Sequence, residues 1–166
     1  AFFGPIRHVP ERTLQRLGWL GAGQDSSFIH FDMKKRKGVV RVGCMGDSFT
    51  YGTEVNRSEG YPAILQGLFR ERGYPQVEVI NFGSGWYGFQ QAFTLWDDVA
   101  RHFDLDYVLL GPKTFFFQRD TTFDHGSPST TYYLHARHVL DGDGLRLVEV
   151  VGDTFKNRAA AYRRFI

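Results

Sequence analysis

The stretch Arg41-Val42-Gly43-Cys44-Met45-Gly46-Asp47-Ser48-Phe49-Thr50-Tyr51-Gly52 decides how the chain is read. A short apolar run ends abruptly in Gly46-Asp47-Ser48, and Gly52 follows four residues after the serine. Apolar residues that stop at small and polar ones read as a buried strand emptying into a tight turn. A serine there sits at the carboxyl end of a strand, where open α/β sheets place their ligand sites. A helix beginning at that point would aim backbone N–H groups at whatever the serine attacks. The ordinary alternative is a plain turn, because Asp and Ser hydrogen-bond their own backbone.

Working outward, the segments after the serine repeat an alternating pattern. Tyr61–Arg72 has the spacing of a helix: Ile64, Leu65, Leu68 and Phe69 share a face, Ser58 can cap it, Pro62 suits its first turn and Gly73 stops it. Residues 76–82 predict a second strand, residues 89–103 a second helix with Ala92, Phe93, Leu95, Trp96 and Val99 inward, and residues 107–110 a third strand. Strand, helix, strand, helix, strand is a βαβ series, which implies a parallel sheet and an α/β class. Upstream, residues 1–25 read as an irregular arm with a helical turn near residues 11–17. Residues 27–33 read as a strand, and Lys34-Lys35-Arg36-Lys37-Gly38 as a solvated basic turn rather than a nucleic-acid patch. Downstream, residues 121–130 predict a loop. Asp141-Gly142-Asp143-Gly144 predicts a hairpin between residues 132–140 and 145–151, and residues 154–165 predict a basic helix. The expected division is an N-terminal arm and hairpin over 1–38 and an α/β domain over 39–166.

A chain of 166 residues is long enough for one domain with a sizeable core. The formal net charge of +2 is too small to argue for a nucleic-acid partner, and no apolar stretch is long enough to span a bilayer. The chain starts at Ala1, which suits a processed or trimmed end and leaves the compartment open. The single cysteine, Cys44, excludes an internal disulfide framework and reads as an inert core thiol. His135-x-x-His138 lacks the helical spacing that puts two ligands on one face, so neither a metal nor a cofactor is expected.

The segment Asn81-Phe82-Gly83-Ser84-Gly85-Trp86-Tyr87-Gly88-Phe89-Gln90-Gln91 closes the second strand beside the serine turn. Together, Gly46-Asp47-Ser48 and Asn81-x-Gly83, with Tyr87-Gly88 and Gln91 following, resemble the SGNH/GDSL hydrolase family. The likeness runs from about Val39 to Gly111. It implies a three-layer α/β/α sandwich around a parallel sheet, a flavodoxin-like arrangement, with a β-hairpin insertion. It also implies hydrolysis or transfer of an ester-linked acyl group through a Ser48 acyl-enzyme, on a small-molecule or carbohydrate ester. Ser48 would be the nucleophile, with its own N–H and that of Gly83 as oxyanion donors. Asp47 would brace the turn, and Asn81 would hold its loop. Trp86 and Tyr87 could form an aromatic wall for a sugar or acyl group, or pack in the core.

Two of the family's blocks are not found. Where Gly-x-Asn-Asp would follow the third strand, the chain has Gly111-Pro112-Lys113-Thr114; Lys113, or Arg119-Asp120 beyond it, could occupy that space. No Asp-x-x-His occurs, and a serine without a base stays protonated at neutral pH. His8, His30 and His102 read as structural, leaving His125, His135 and His138 as candidate bases. On an alternating strand the last two would face opposite sides. The expectation is therefore that a further C-terminal segment or a second chain supplies the base. The competing expectation is a non-catalytic binding module or inactive fragment that keeps the cleft.

Overall fold

The computed structural model describes residues 11–17, 27–120, 124–126, 132–134 and 136–148. The expected helix over 154–165, the candidate His135 and the early histidine His8 lie outside them. The core is a three-stranded parallel sheet of β1 (Val40–Gly46), β2 (Val77–Asn81) and β3 (Tyr107–Gly111), in the order β2-β1-β3. Val40 pairs with Val77 and Cys44 with Asn81 on one side of β1; Val42 pairs with Tyr107 and Gly46 with Gly111 on the other. A central first strand with its successors on either side puts the topological switch point at its carboxyl end, where doubly wound sheets bind ligands.

Successive side chains of β1 serve two apolar clusters, as strand geometry requires. Val42 and Cys44 join Val77, Val79 and the half-buried Leu65 and Phe69 of α3 (Tyr61–Glu71). Met45 joins Ile80, Phe82, Phe103 and Leu95 of α4 (Phe89–Asp98). Phe28, Phe82 and Phe103 pack ring on ring, with centroids 5.1–6.1 Å apart. Residues 27–30 form a 3-10 turn, not the expected strand, and Phe28 is its buried anchor. One large ring sunk in the core outweighs the strand-like pattern of the segment.

Further differences from the sequence expectations have local causes. The N-cap of α3 is Gly60 without a side-chain bond, so Ser58 does not cap it. The second helix ends at Asp98 and is followed by a 3-10 turn over Ala100–Phe103; Phe93 on it is exposed. Residues 115–120 form α5 (Phe115–Asp120). Within the predicted loop, β4 (Asp124–Gly126) pairs antiparallel with β5 (Tyr132–Leu134). The Asp141–Gly144 hairpin forms as expected, between β6 (Arg137–Asp141) and β7 (Gly144–Val148), but β5 belongs to the other pair. The helical turn expected near 11–17 is α1 (Glu11–Leu17).

Arg41 shows how a charge is accommodated inside β1. Its side chain is buried; Nε donates to Glu78 at 2.8 Å, and one terminal nitrogen donates to the carbonyls of Asp32, Met33 and Phe103. The basic turn is also more than a solvated run: Lys35 pairs with Asp106 and Arg36 with Glu78. These bonds fasten the approach segment to the sheet before β1 begins.

The two edges of the sheet differ. Along β2, the Gln66 side chain donates to the Val77 carbonyl and accepts from the Val79 amide, closing part of that edge. Along β3, Tyr107, Val108, Leu109 and Leu110 are all exposed. Beside it, Met45, Phe89, Ala92, Phe93, Trp96, Val108 and Leu110 line an apolar groove of about 410 Å³. No described helix is long and apolar enough to cross a membrane.

Candidate active site

Ser48 opens α2 (Ser48–Tyr51), a single helical turn at the carboxyl end of β1. Asp47 is its N-cap: Oδ1 accepts from the Phe49 amide at 3.0 Å. An acceptor at that position satisfies an N–H that the first helical turn leaves free. The Asp47 carboxylate is fully buried, and its Oδ2 accepts from Arg119 at 3.1 Å. The same Arg119 nitrogen donates to the Tyr87 carbonyl at 2.7 Å. Burial pushes the Arg119 guanidinium below its ordinary pKa, while Asp47 pulls it back up. Asp47 thus braces the corner. Ser48 itself is half-buried, and no described residue hydrogen-bonds its hydroxyl.

The loop after β2 is fastened to this corner at several points. The Asn81 side chain donates to the carbonyls of Thr50 and Tyr51 and accepts from the Gly83 amide at 2.8 Å. The Ser84 amide donates to the Gly46 carbonyl at 3.1 Å. Gly83 lies so close to α2 that a Cβ would fall 2.8 Å from the Thr50 carbonyl carbon and 2.9 Å from its Cβ. Only glycine allows two backbones to approach like this.

This corrects the expectation for Gly83. Its amide is engaged by Asn81 and is not a free oxyanion donor here; its role is close packing between the loop and α2. The Trp86 amide has no acceptor among the described residues, while those of Ser84, Tyr87 and Gly88 donate. Trp86 follows Gly85 in the turn closed by the Tyr87 amide on the Ser84 carbonyl, and it has φ 67°. The spacing of an Asn two residues before a glycine suits an Asx turn that consumes the glycine's amide, a signal visible in Asn81-x-Gly83.

The expected aromatic wall separates into two roles. Tyr87 is fully buried, its hydroxyl tied to Ser84 and its pKa raised by burial. Trp86 is 51% exposed, with the Arg119 guanidinium 5.5 Å from its ring centre. Phe49, beside Ser48, is exposed as well, and the Lys113 ammonium lies over its ring.

Arg119-Asp120 does come to this region. Asp120 accepts from the Phe89 and Gln90 amides at 3.1 and 3.0 Å, capping α4 from another element. Cys44 is buried in the sheet with its thiol pKa pushed up to about 11, which suits an inert core residue.

His138 sits on α4: its Nδ1 lies 2.9 Å from Gln90 Oε1, and its ring packs edge-on against Phe93. Because Gln90 Oε1 also accepts from the His138 amide, Nδ1 is the donor in this bond. For His125 the backbone belongs to β4. His30 and His102 are exposed. Among the described residues, no group of three or more acidic, His or Cys side chains is arranged to hold a metal ion. No protein-family model matches the chain, and no curated protein is significantly similar to it.

Proposed function

We propose that the chain is a serine hydrolase of the SGNH/GDSL type, with that family's three-layer sandwich, acting on ester bonds through a Ser48 acyl-enzyme. The observation that supports this most is the corner itself. A half-exposed serine begins a helical turn at the carboxyl end of the central strand, and a buried carboxylate braces it. Ser48 Oγ attacks the ester carbonyl carbon while a histidine base takes its proton. The tetrahedral oxyanion collapses, the alcohol leaves with that proton, and water then releases the acid by the reverse path. The Ser48 amide is an oxyanion donor in this proposal, and the Gly83 amide, held by Asn81, is not its partner. Each donor of this kind is worth about 3 kcal/mol in the transition state. The base comes from outside the described residues.

A second function, a binding module that keeps the cleft without chemistry, draws on the Ser48 hydroxyl having no basic partner among the described residues. Hydrolysis of an aryl acetate by the full-length protein separates the two. Turnover that disappears in Ser48→Ala supports the esterase. Equal rates for the two proteins support the module.

A further inference from the structure

The outer edge of β2 carries a concavity of its own. A groove of about 470 Å³ runs along the strand, with α3 on one side and the approach segment to β1 on the other. From α3 it takes Gln66 and Arg70; from the approach segment it takes Phe31 and Arg36. Its floor is the buried pair Val77 and Val79, whose backbones Gln66 holds. A crossover helix runs antiparallel to the strands that it joins. Arg57, ahead of α3, and Arg70, in its last turn, therefore stand at opposite ends of the groove. The helix between them rises roughly 14 Å.

Charge distinguishes this groove from an ordinary surface dip. Three arginines, Arg36, Arg57 and Arg70, line it against one carboxylate, that of Glu78. That carboxylate is already shared, because it accepts from Arg36 and from the buried Arg41. Arg70 is exposed and has no acidic partner among the described residues. Cations gathered on a concave wall repel one another, and the field that they focus there favours an anion. Each guanidinium presents a fork of N–H donors that matches two oxygens of a phosphate group. A fork at either end of an elongated groove suits a ligand whose negative charge is spread along its length. A lone chloride or carboxylate would meet one fork only.

We propose that this groove binds a small ligand carrying two or more phosphate groups, with Arg57 and Arg70 as its main anchors. Tyr51 and Asn81 line the end nearer the serine corner, and Asn81 also ties α2 to the loop after β2. Ser48 is not part of the lining. Binding here is independent of whether Ser48 is a nucleophile, so the site goes beyond the function proposed above and stands or falls apart from it.

Isothermal titration of the full-length protein tests the proposal, in low-salt buffer free of divalent metal. ADP and pyrophosphate are the probes, and adenosine is the uncharged control. Both anions are expected to bind, and adenosine is not. Arg57→Gln and Arg70→Gln should each weaken ADP binding about tenfold, and the double variant more. Both residues are exposed, so their variants should keep the wild-type circular dichroism spectrum and urea midpoint. Arg101→Gln removes an equal charge from the exposed 3-10 turn after α4 and should bind ADP as wild type does. Failure of both anions to bind would overturn the proposal. So would adenosine binding as tightly as ADP, or an equal loss in Arg101→Gln and Arg70→Gln.

Discussion

Arg119 connects three parts of the site through one guanidinium: the Asp47 carboxylate, the Tyr87 carbonyl and the face of Trp86. Its partner Asp47 is fully buried, so a neutral replacement strands a carboxylate in the interior. Arg119→Met is expected to cost about 3 kcal/mol in urea unfolding, with Asp47→Asn/Arg119→Met recovering part of it. A loss below about 0.5 kcal/mol would mean that water reaches Asp47 and the pair does not brace the corner. Gly83 is the second sensitive residue. Adding one methyl in Gly83→Ala pushes the loop off α2 and is expected to destabilise by about 1–3 kcal/mol. A wild-type midpoint in denaturant would contradict that close contact.

At the scale of elements, α4 depends on a residue far away in sequence. Its N-cap, Gly88, has no side-chain oxygen, and Asp120 of α5 supplies both acceptors instead. Asp120→Ala is expected to cost about 1 kcal/mol in stability. Faster amide exchange at Phe89 and Gln90 would locate that loss, and unchanged exchange there would contradict the capping role. Such a cap is invisible to local pattern, which is why Asp120 was legible only as part of a pair near a missing block. The strands of the sheet were legible because Val40–Gly46 and Val77–Asn81 carry apolar runs that end in turn residues. Ser27–His30 was not, because a strand-like composition was overruled by the burial of Phe28. The bracing roles of Asp47 and Asn81 are implied by the family resemblance and not by local pattern. The Asn two residues before Gly83 signals the engagement of its amide, but the family resemblance assigns that amide to the oxyanion instead. Helical spacing alone points Phe93 inward, but spacing cannot tell how much of an apolar face a helix finds covered, and Phe93 is exposed.

At the scale of the molecule, two features shape behaviour in solution. Glu78 joins the approach segment to the sheet through Arg36 and Arg41. Burial pushes its carboxyl pKa up, but the hydrogen bonds from Arg41 and Arg36 outweigh that and hold it below 4.5. A folded-state pKa lower than the unfolded one stabilises above the unfolded value, and that contribution fades as pH falls through the folded value. The stability gap between wild type and Glu78→Gln should therefore be full at about pH 7 and shrink in acid below about pH 4.5. A gap unchanged into acid would contradict the charge-based link. The second feature is β3, whose exposed Tyr107–Leu110 row forms an apolar edge able to pair with other chains. Leu109→Lys is expected to lower light scattering on concentration without a change in the circular dichroism spectrum; equal scattering would argue that the edge is covered in solution. The central claim is that the Ser48 hydroxyl is a nucleophile at an open corner of the sheet. Intact-mass analysis of the full-length protein after exposure to a fluorophosphonate, followed by peptide mapping, tests it most directly. The account predicts a single adduct on Ser48 that is absent in Ser48→Ala. A folded protein that stays unlabelled, or that carries its label on another residue, would contradict it.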